Sequence, residues 1–459
     1  MKKNFFKTIN PFLFIALSFM IVIVLGGIVL SLPISLKEGV EINFINAIFT
    51  ATTSLCVTGL VSLKEGLINT FSTFGIVIIA ILIEIGGLGV ATLGLILIIL
   101  INKKVSMKEQ TLIKENFNLT SYSDIMKLFF RILIFSFSIE LIGFIFIFFD
   151  FYFIEGFSLT DSISKGLFHS ISAFNNAGLD LFGNTSLNSF RGDTYLLIVT
   201  SFLIIAGGLG YIVIIDIYQK KLKFKKFLLQ TKVVLIFSII LILFGTILMY
   251  ISEINYQNIN LLDAYFLSVN SRTCGFEAFN LYSLRHSTLI IYMILMFIGG
   301  GSGSTAGGIK VTTLAIFLAY FRSIINGKNP SLFKRNIKDN LIKRSFIIIS
   351  LGLLVFVIGS FIISFFENDI NYIKDGIKYN EYIEGCKIYS AFDFAFEAMS
   401  AFSNTGNSTG FTPYFNESSK IVLIILMYIG RVGPITLAMS FKSKEECLYR
   451  YVSEDIAIG

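Results

Sequence analysis

Residues 42–60, INFINAIFTATTSLCVTGL, carry the pattern on which this chain is built. The apolar part is only about 12 to 15 residues long, short of the ~20 that a helix needs to cross a bilayer, and it ends at a glycine in polar company. That is the signature of a re-entrant helix and its turn. The phrase returns three times, as 161-DSISKGLFHSISAFNNAGL-179, 261-LLDAYFLSVNSRTCGF-276 and 391-AFDFAFEAMSAFSNTGN-407. Aligned at their ends the four stretches read TSLCVTGL, SAFNNAGL, VNSRTCGF and AFSNTGN, which sets Gly59, Gly178, Gly275 and Gly406 at one position. Any one of these glycines could simply end a short helix; four at equivalent places argue for a shared task.

A second landmark follows each stretch: IGGLG from Ile85, AGGLG from Ala206, IGGGSG from Ile298 and IGRVG from Ile429. The separations from loop glycine to landmark glycine are 27, 29, 24 and 24 residues. Two landmarks in fixed order, four times over, define an internal repeat. Around them lie eight long apolar runs, at about 11–33, 70–101, 127–150, 194–219, 231–252, 287–321, 344–365 and 418–440, each near the length that spans roughly 30 Å of hydrocarbon. The expected fold is all-α and integral to a membrane. Four M1-P-M2 repeats, eight transmembrane helices plus four re-entrant pore helices, surround one pore per subunit with pseudo-four-fold symmetry. Their expected extents are 1–105, 106–226, 227–325 with a broken inner helix, and 326–459 with a C-terminal tail.

Composition agrees with lipid as the solvent: 54% of residues are hydrophobic, 15% are charged and the mean hydropathy is +0.78. The formal charge of +7 would suit a polyanion, but 25 of the 37 Lys and Arg fall at the N-terminus, within 103–131, 220–232 and 322–344, and after 440. Those zones share one side if every run crosses once, so the positive-inside rule puts them and both termini in the cytoplasm, with no nucleic-acid partner implied. The run after Lys2, Lys3 and Lys7 is too long for a signal peptide and lacks a cleavage site, so it is expected to stay as a span. Cys56, Cys274, Cys386 and Cys447 have no metal-ligand spacing. With two histidines in all, His169 and His286, and no paired catalytic residues, an enzyme is not expected.

Non-helical backbone at membrane depth survives only where protein buries it or where it lines water, and four loops around an axis meet the second condition. Rings of backbone carbonyls replace the hydration shell of a potassium ion without a fixed charge, and glycine lets those carbonyls turn inward. Val57, Thr58 and Gly59; Asn176, Ala177 and Gly178; Thr273, Cys274 and Gly275; and Asn404, Thr405 and Gly406 are therefore the expected filter, with K+ held at the four glycines. Asp180, Glu277 and Asp393 lie near the loops, as cation-concentrating groups or as ordinary surface charge.

The third inner helix departs from its siblings. IGGGSGSTAGGI, residues 298–309, has six glycines, two serines and a threonine, and Gly costs about 1 kcal/mol in a helix relative to Ala. The expected gate is a loop of Gly299, Gly300, Gly301, Ser302, Gly303, Ser304, Thr305, Ala306, Gly307 and Gly308, followed by Lys310. No phosphate-cradle motif is present. Arg431 stands where the other landmarks have Gly87, Gly208 and Gly300; facing the pore, it would bind loop carbonyls and hold the gate shut. Glu84 is the other intramembrane charge, and either pairs with a helix neighbour or senses a cation.

The residues CVTGL around Gly59, FNNAGL around Gly178, SRTCGF around Gly275, GSTAGGIK from Gly303 to Lys310, GRVGPITLA from Gly430 to Ala438 and the closing YRYVSEDIAIG resemble the KtrB membrane subunits of bacterial Ktr potassium uptake systems, within the Trk/Ktr/HKT superfamily. The likeness spans nearly the whole chain; the fourth filter, SNTGN, departs from the usual form at Asn407. The resemblance implies a multi-pass protein of the bacterial cytoplasmic (inner) membrane. It implies a homodimer with one pore per subunit, seated on a cytoplasmic KtrA-like RCK ring that binds ATP or ADP, with sodium as a stimulator. In such proteins the broken third inner helix is the gate and the arginine matching Arg431 takes part in it. The tail with Tyr449, Tyr451 and Ile456–Gly459 looks like a dimer contact. The competing expectations are an ion-coupled carrier for another solute, which would more often show two inverted halves, and a less selective K+/Na+ pathway.

Overall fold

A computed structural model describes residues 11–89, 122–256, 259–367, 370–374, 377–379 and 386–434. The C-terminal tail, the loop around 103–121 and Cys447 lie outside the described residues. Four units follow one another, each an outer helix, a short pore helix and an inner helix. The outer helices are α1 (Pro11–Leu30), α5 (Tyr122–Phe149, continued by a π-helical turn, Asp150–Ile154), α9 (Leu229–Glu253) and α13 (Asp339–Phe366). The pore helices are α2 (Phe44–Leu55), α6 (Leu159–Phe174), α10 (Leu261–Asn270) and α14 (Ala391–Ser403). The inner helices begin as α4 (Thr73–Gly87, after the short α3, Gly66–Thr70), α7 (Thr194–Leu209), α11 (His286–Phe297) and α15 (Glu417–Val432), with α8 (Tyr211–Gln219) and α12 (Val311–Asn326) as further halves.

Each pore helix packs against the inner helix of the preceding unit: α2 on α15, α6 on α4, α10 on α7 and α14 on α11. The last unit thereby meets the first and the ring closes. The starts of three of the pore helices are pinned by side chains: Ser158 accepts from the Asp161 amide at 3.1 Å, Asn260 and Asp263 form a reciprocal capping box, and so do Ser390 and Asp393. Asp393 is thus a helix cap.

The inner helices differ from the long continuous runs expected. Three outer helices, Phe130–Ile154, Leu229–Glu253 and Asp339–Phe366, are long and apolar enough to cross a membrane unaided. The second inner helix, expected to run unbroken over 194–219, bends by 93° at Gly210, whose φ is +94°. Gly89 and Gly433 end the matching landmarks with φ +89° and +91°, a backbone conformation that favours glycine. A helix of 15 residues rises only about 22 Å, so an inner helix stopped at its landmark cannot span alone. The landmark is therefore an interruption in more than the third unit. Two small antiparallel sheets join the helices, β1 (Ser331–Leu332) with β2 (Arg335–Asn336), and β3 (Ile370–Lys374) between β4 (Ile377–Tyr379) and β5 (Lys387–Ser390).

Candidate ion pathway

The four loop glycines meet. A methyl group placed on Gly59 would lie 3.2 Å from the Cα atoms of both Gly275 and Gly406, one on Gly178 2.3 Å from the Cα of Gly275, and one on Gly406 2.6 Å from the Cα of Gly59. Contacts below 3.0 Å do not occur for real Cβ atoms, so only glycine brings the strands this close.

Two residues before each glycine, Val57, Asn176, Thr273 and Asn404 have φ of 55°, 59°, 100° and 52°. Non-glycine residues rarely take positive φ. Four at one register with such different side chains mark a conformation imposed by the site. Alternation of backbone handedness turns successive peptide groups to one side. The amides face back into the protein: those of Thr58, Ala177, Cys274 and Thr405 donate to the carbonyls of Thr53, Ser172, Asn270 and Ser400 at 2.8, 2.7, 2.9 and 3.0 Å. The Gly59 and Gly406 amides donate to the hydroxyls of Thr53 and Ser400, both at 3.0 Å. Val269 stands six residues before Gly275, so the third strand lacks that hydroxyl support.

Outside the ring lies a cavity of ≈ 340 Å³ lined by all four glycines together with Asp180, Glu277, Lys64 and Lys387. Glu277 accepts from the Ser408 amide at 2.8 Å, and burial pushes its carboxyl up to about 8. Asp180 accepts from the Ser186 hydroxyl at 2.5 Å, and burial pushes it up to about 6.

Beneath the ring the 298–309 segment crosses without helix, its ends joined by a parallel bridge between Ile298 and Ile309. Its groups are tied on three sides. Gly301 N–H donates to the Gly208 carbonyl at 2.8 Å, and Tyr211 N–H donates to the Gly303 carbonyl at 3.1 Å, so the loop docks on polar groups that the bend at Gly210 sets free. Thr305 donates its hydroxyl to the Asn176 side chain at 2.8 Å, and Ser302 shares a hydrogen bond with Thr312 at 2.7 Å. Lys310, which caps α12, donates to the Ala306 carbonyl. Arg431 reaches across from α15 and donates to two carbonyls, Thr305 in the loop and Gly86 in α4. Gly299, Gly300, Gly307, Gly308 and Ser304 complete the segment; a Cβ on Gly299 would strike the Gly307 carbonyl and one on Gly307 the Ser403 carbonyl. The loop is thereby packed directly against the strands that carry the four glycines.

A family model described as TrkH, cation transport protein, matches residues 2–447. The chain belongs to that family. It is a multi-pass membrane transport protein and not an enzyme. This TrkH-family chain is 36% identical to the potassium/sodium uptake protein NtpJ of Enterococcus hirae, across 100% of its own length and 99% of that protein's. It is 32% identical to the Ktr system potassium uptake protein B of Bacillus subtilis, across 97% and 96%. Its fold superposes on the crystal structure of the potassium transporter TrkH from Vibrio parahaemolyticus with a TM-score of 0.69, covering 96% of this chain and 86% of that one at 17% identity. At that identity the likeness speaks for the fold.

The TrkH-family chain holds more charge at membrane depth than Arg431 and Glu84. Glu84 does have a helix neighbour, which the sequence did not name: its carboxyl lies beside that of Glu140 of α5, and Asn175, the C-cap of α6, donates to Glu140 at 3.0 Å. Arg272, two residues before Cys274, is 8% exposed and turns inward rather than to the mouth. Glu397 in α14 accepts from the hydroxyls of Ser408 and Thr412, both at 2.6 Å, and from the Thr409 amide at 2.9 Å, bracing the strand beyond Gly406. His169 and Ser170 do not pair: His169 meets Thr200 at 2.9 Å, and Ser170 donates to the Glu140 carbonyl at 2.6 Å. Cys56, Cys274 and Cys386 are free thiols.

Proposed function

We propose that this chain is the pore-forming subunit of a gated, Ktr-type potassium uptake system in the bacterial cytoplasmic membrane. The observation that carries the proposal is the convergence of Gly59, Gly178, Gly275 and Gly406 on one axis, each behind a residue of positive φ and each with the amide before it bonded back into the protein. Potassium ions shed water into that ring, where carbonyls of the filter residues named above replace it. The pore helices end at the ring and add their negative C-terminal dipoles. Asp180, and Glu277 once it loses its proton, raise the cation concentration in the outer cavity. The 299–308 loop with Lys310 is the gate, and Arg431 is its latch through Thr305.

The relatives named for potassium/sodium uptake and for the Ktr system support potassium as the transported ion; sodium acts in this reading as a stimulator. A Ktr-type subunit works as a homodimer on a cytoplasmic RCK-type ring that binds ATP or ADP, and the basic segments on the cytoplasmic side, such as 220–232, face that ring. The nucleotide belongs to the partner. Growth of potassium-uptake-deficient cells on limiting potassium tests the filter assignment with Gly275→Ser. Loss of growth or of discrimination against sodium is expected; wild-type uptake and selectivity would remove Gly275 from the filter.

A further inference from the structure

Arg272 poses a problem that the pathway so far leaves unsolved. Its guanidinium is buried, and among the described residues no carboxylate forms a salt bridge with it. A buried cation without a counter-charge must give its donors to oxygen, since an unsolvated, unpaired charge is very costly. Arg272 gives them to three places: the Ser238 carbonyl and hydroxyl on α9, both at 3.3 Å, and the Gly299 carbonyl, also at 3.3 Å. Gly299 is the first residue of the segment assigned above as the gate. Arg272 belongs to the strand that ends in Gly275, so one guanidinium ties filter to gate loop.

We propose that Arg272 is a second positioning residue of the gate, clamping the start of the loop while Arg431 latches its middle. The proposal rests on the assignment of 299–308 as the gate. The two arginines reach the loop from different sides. Arg272 comes from the third filter strand and is braced on the outer helix of its own unit, whereas Arg431 comes from the fourth inner helix and shares its grip with Gly86 of the first. Between the clamps the loop is docked on the interrupted second inner helix, through Gly208 and Tyr211. Gly299 is held by Arg272 on its carbonyl and by its own amide on the Ile309 carbonyl at 2.9 Å. Opening that displaces the start of the loop breaks the Arg272 bond, so that bond favours the closed loop and its loss favours the open one.

Rubidium tracer flux into proteoliposomes holding the full-length protein, with potassium-to-sodium permeability measured in the same vesicles, separates the alternatives. For Arg272→Gln, basal flux is expected to rise roughly tenfold, the population shift of about one lost charge-assisted hydrogen bond, with the permeability ratio unchanged. Arg272→Lys should fall between it and wild type. The clamps act at different points of one loop, so the fold-increases of Arg272→Gln and Arg431→Gln should multiply in the double variant. If Arg431→Gln raises flux and Arg272→Gln alters only selectivity, Arg272 supports the filter and the clamp is wrong while the gate stands. If neither raises flux, the gate assignment itself falls. Should Arg272→Gln not insert stably, Ser238→Ala removes one of its braces; a smaller rise at constant selectivity upholds the clamp, and unchanged flux refutes it.

Discussion

The guanidinium of Arg431 hydrogen-bonds the backbone carbonyl of Thr305, joining the fourth inner helix to the middle of the broken third one. Its other nitrogen takes the Gly86 carbonyl of the first inner helix, so one side chain spans three of the four units just below the filter. In the gate proposed above, a cation in that position bars other cations and holds a loop of small residues in place. Charge-assisted hydrogen bonds of this kind contribute about 1.5–3 kcal/mol. Arg431→Ala should thus shift the closed-to-open ratio by about one to two orders of magnitude, seen as higher potassium flux without the cytoplasmic partner; flux at the wild-type level would deny Arg431 a latching role.

The ring glycines should not be equally sensitive. Gly275 has an ordinary φ and its added methyl would sit 3.1 Å from Gly406, whereas one on Gly178 would sit 2.0 Å from the Gly275 amide and one on Gly406 2.0 Å from the Thr58 carbonyl, each at positive φ. Gly275→Ser is expected to keep some conduction and lose selectivity, while Gly178→Ser and Gly406→Ser abolish flux. Equal phenotypes in a side-by-side uptake assay would mean that packing around the axis does not set the outcome.

Transport should rise with external pH. Burial pushes Asp180 up to about 6 and Glu277 up to about 8, so the outer cavity gains one negative charge and then a second as pH climbs between about 5 and 9. Apparent potassium affinity should strengthen over that window, more at low salt because exposed charge is screened within about 10 Å at 0.1 M. Glu277→Gln should remove the upper limb and Asp180→Asn the lower. The sign for stability is opposite: both acids bind protons more tightly folded than unfolded, so the stability they contribute at low pH is lost as pH rises through their folded values.

Gly210→Ala tests the docking of the loop on the bent second inner helix. At φ +94° an alanine is strained by about 1–2 kcal/mol, and its methyl would lie 2.9 Å from the Ser302 carbonyl. A lower melting temperature in detergent and a higher basal flux are expected together. A lower melting temperature with unchanged flux would make the bend structural only.

The repeats were legible because the first glycine of every landmark, Gly86, Gly207, Gly299 and Gly430, would drive a Cβ to within 2.0 Å of a backbone carbonyl, so the sequence keeps these four in register. The left-handed residues at 57, 176, 273 and 404 were hidden, since valine, asparagine and threonine carry no common signal for positive φ. Gly210 was hidden for a different reason: AGGLGYIVIIDIY is apolar on both sides of the break, and hydropathy does not sense direction. Glu140 sits singly in SFSIELIGFIF and shows its meaning only when folding brings Glu84 and Asn175 beside it. Arg272 stands unremarked inside SRTCGF, and only the fold shows that its side chain is buried beside Ser238 and Gly299.

Selection at the ring of glycines is tested most directly by anomalous diffraction from crystals soaked in rubidium or thallium. Ion density is expected on the axis between Gly59, Gly178, Gly275 and Gly406, lost when sodium replaces the heavier ion. Density confined to the Glu84–Glu140 pair, with none on the axis, would contradict the filter and move cation binding away from the pore centre.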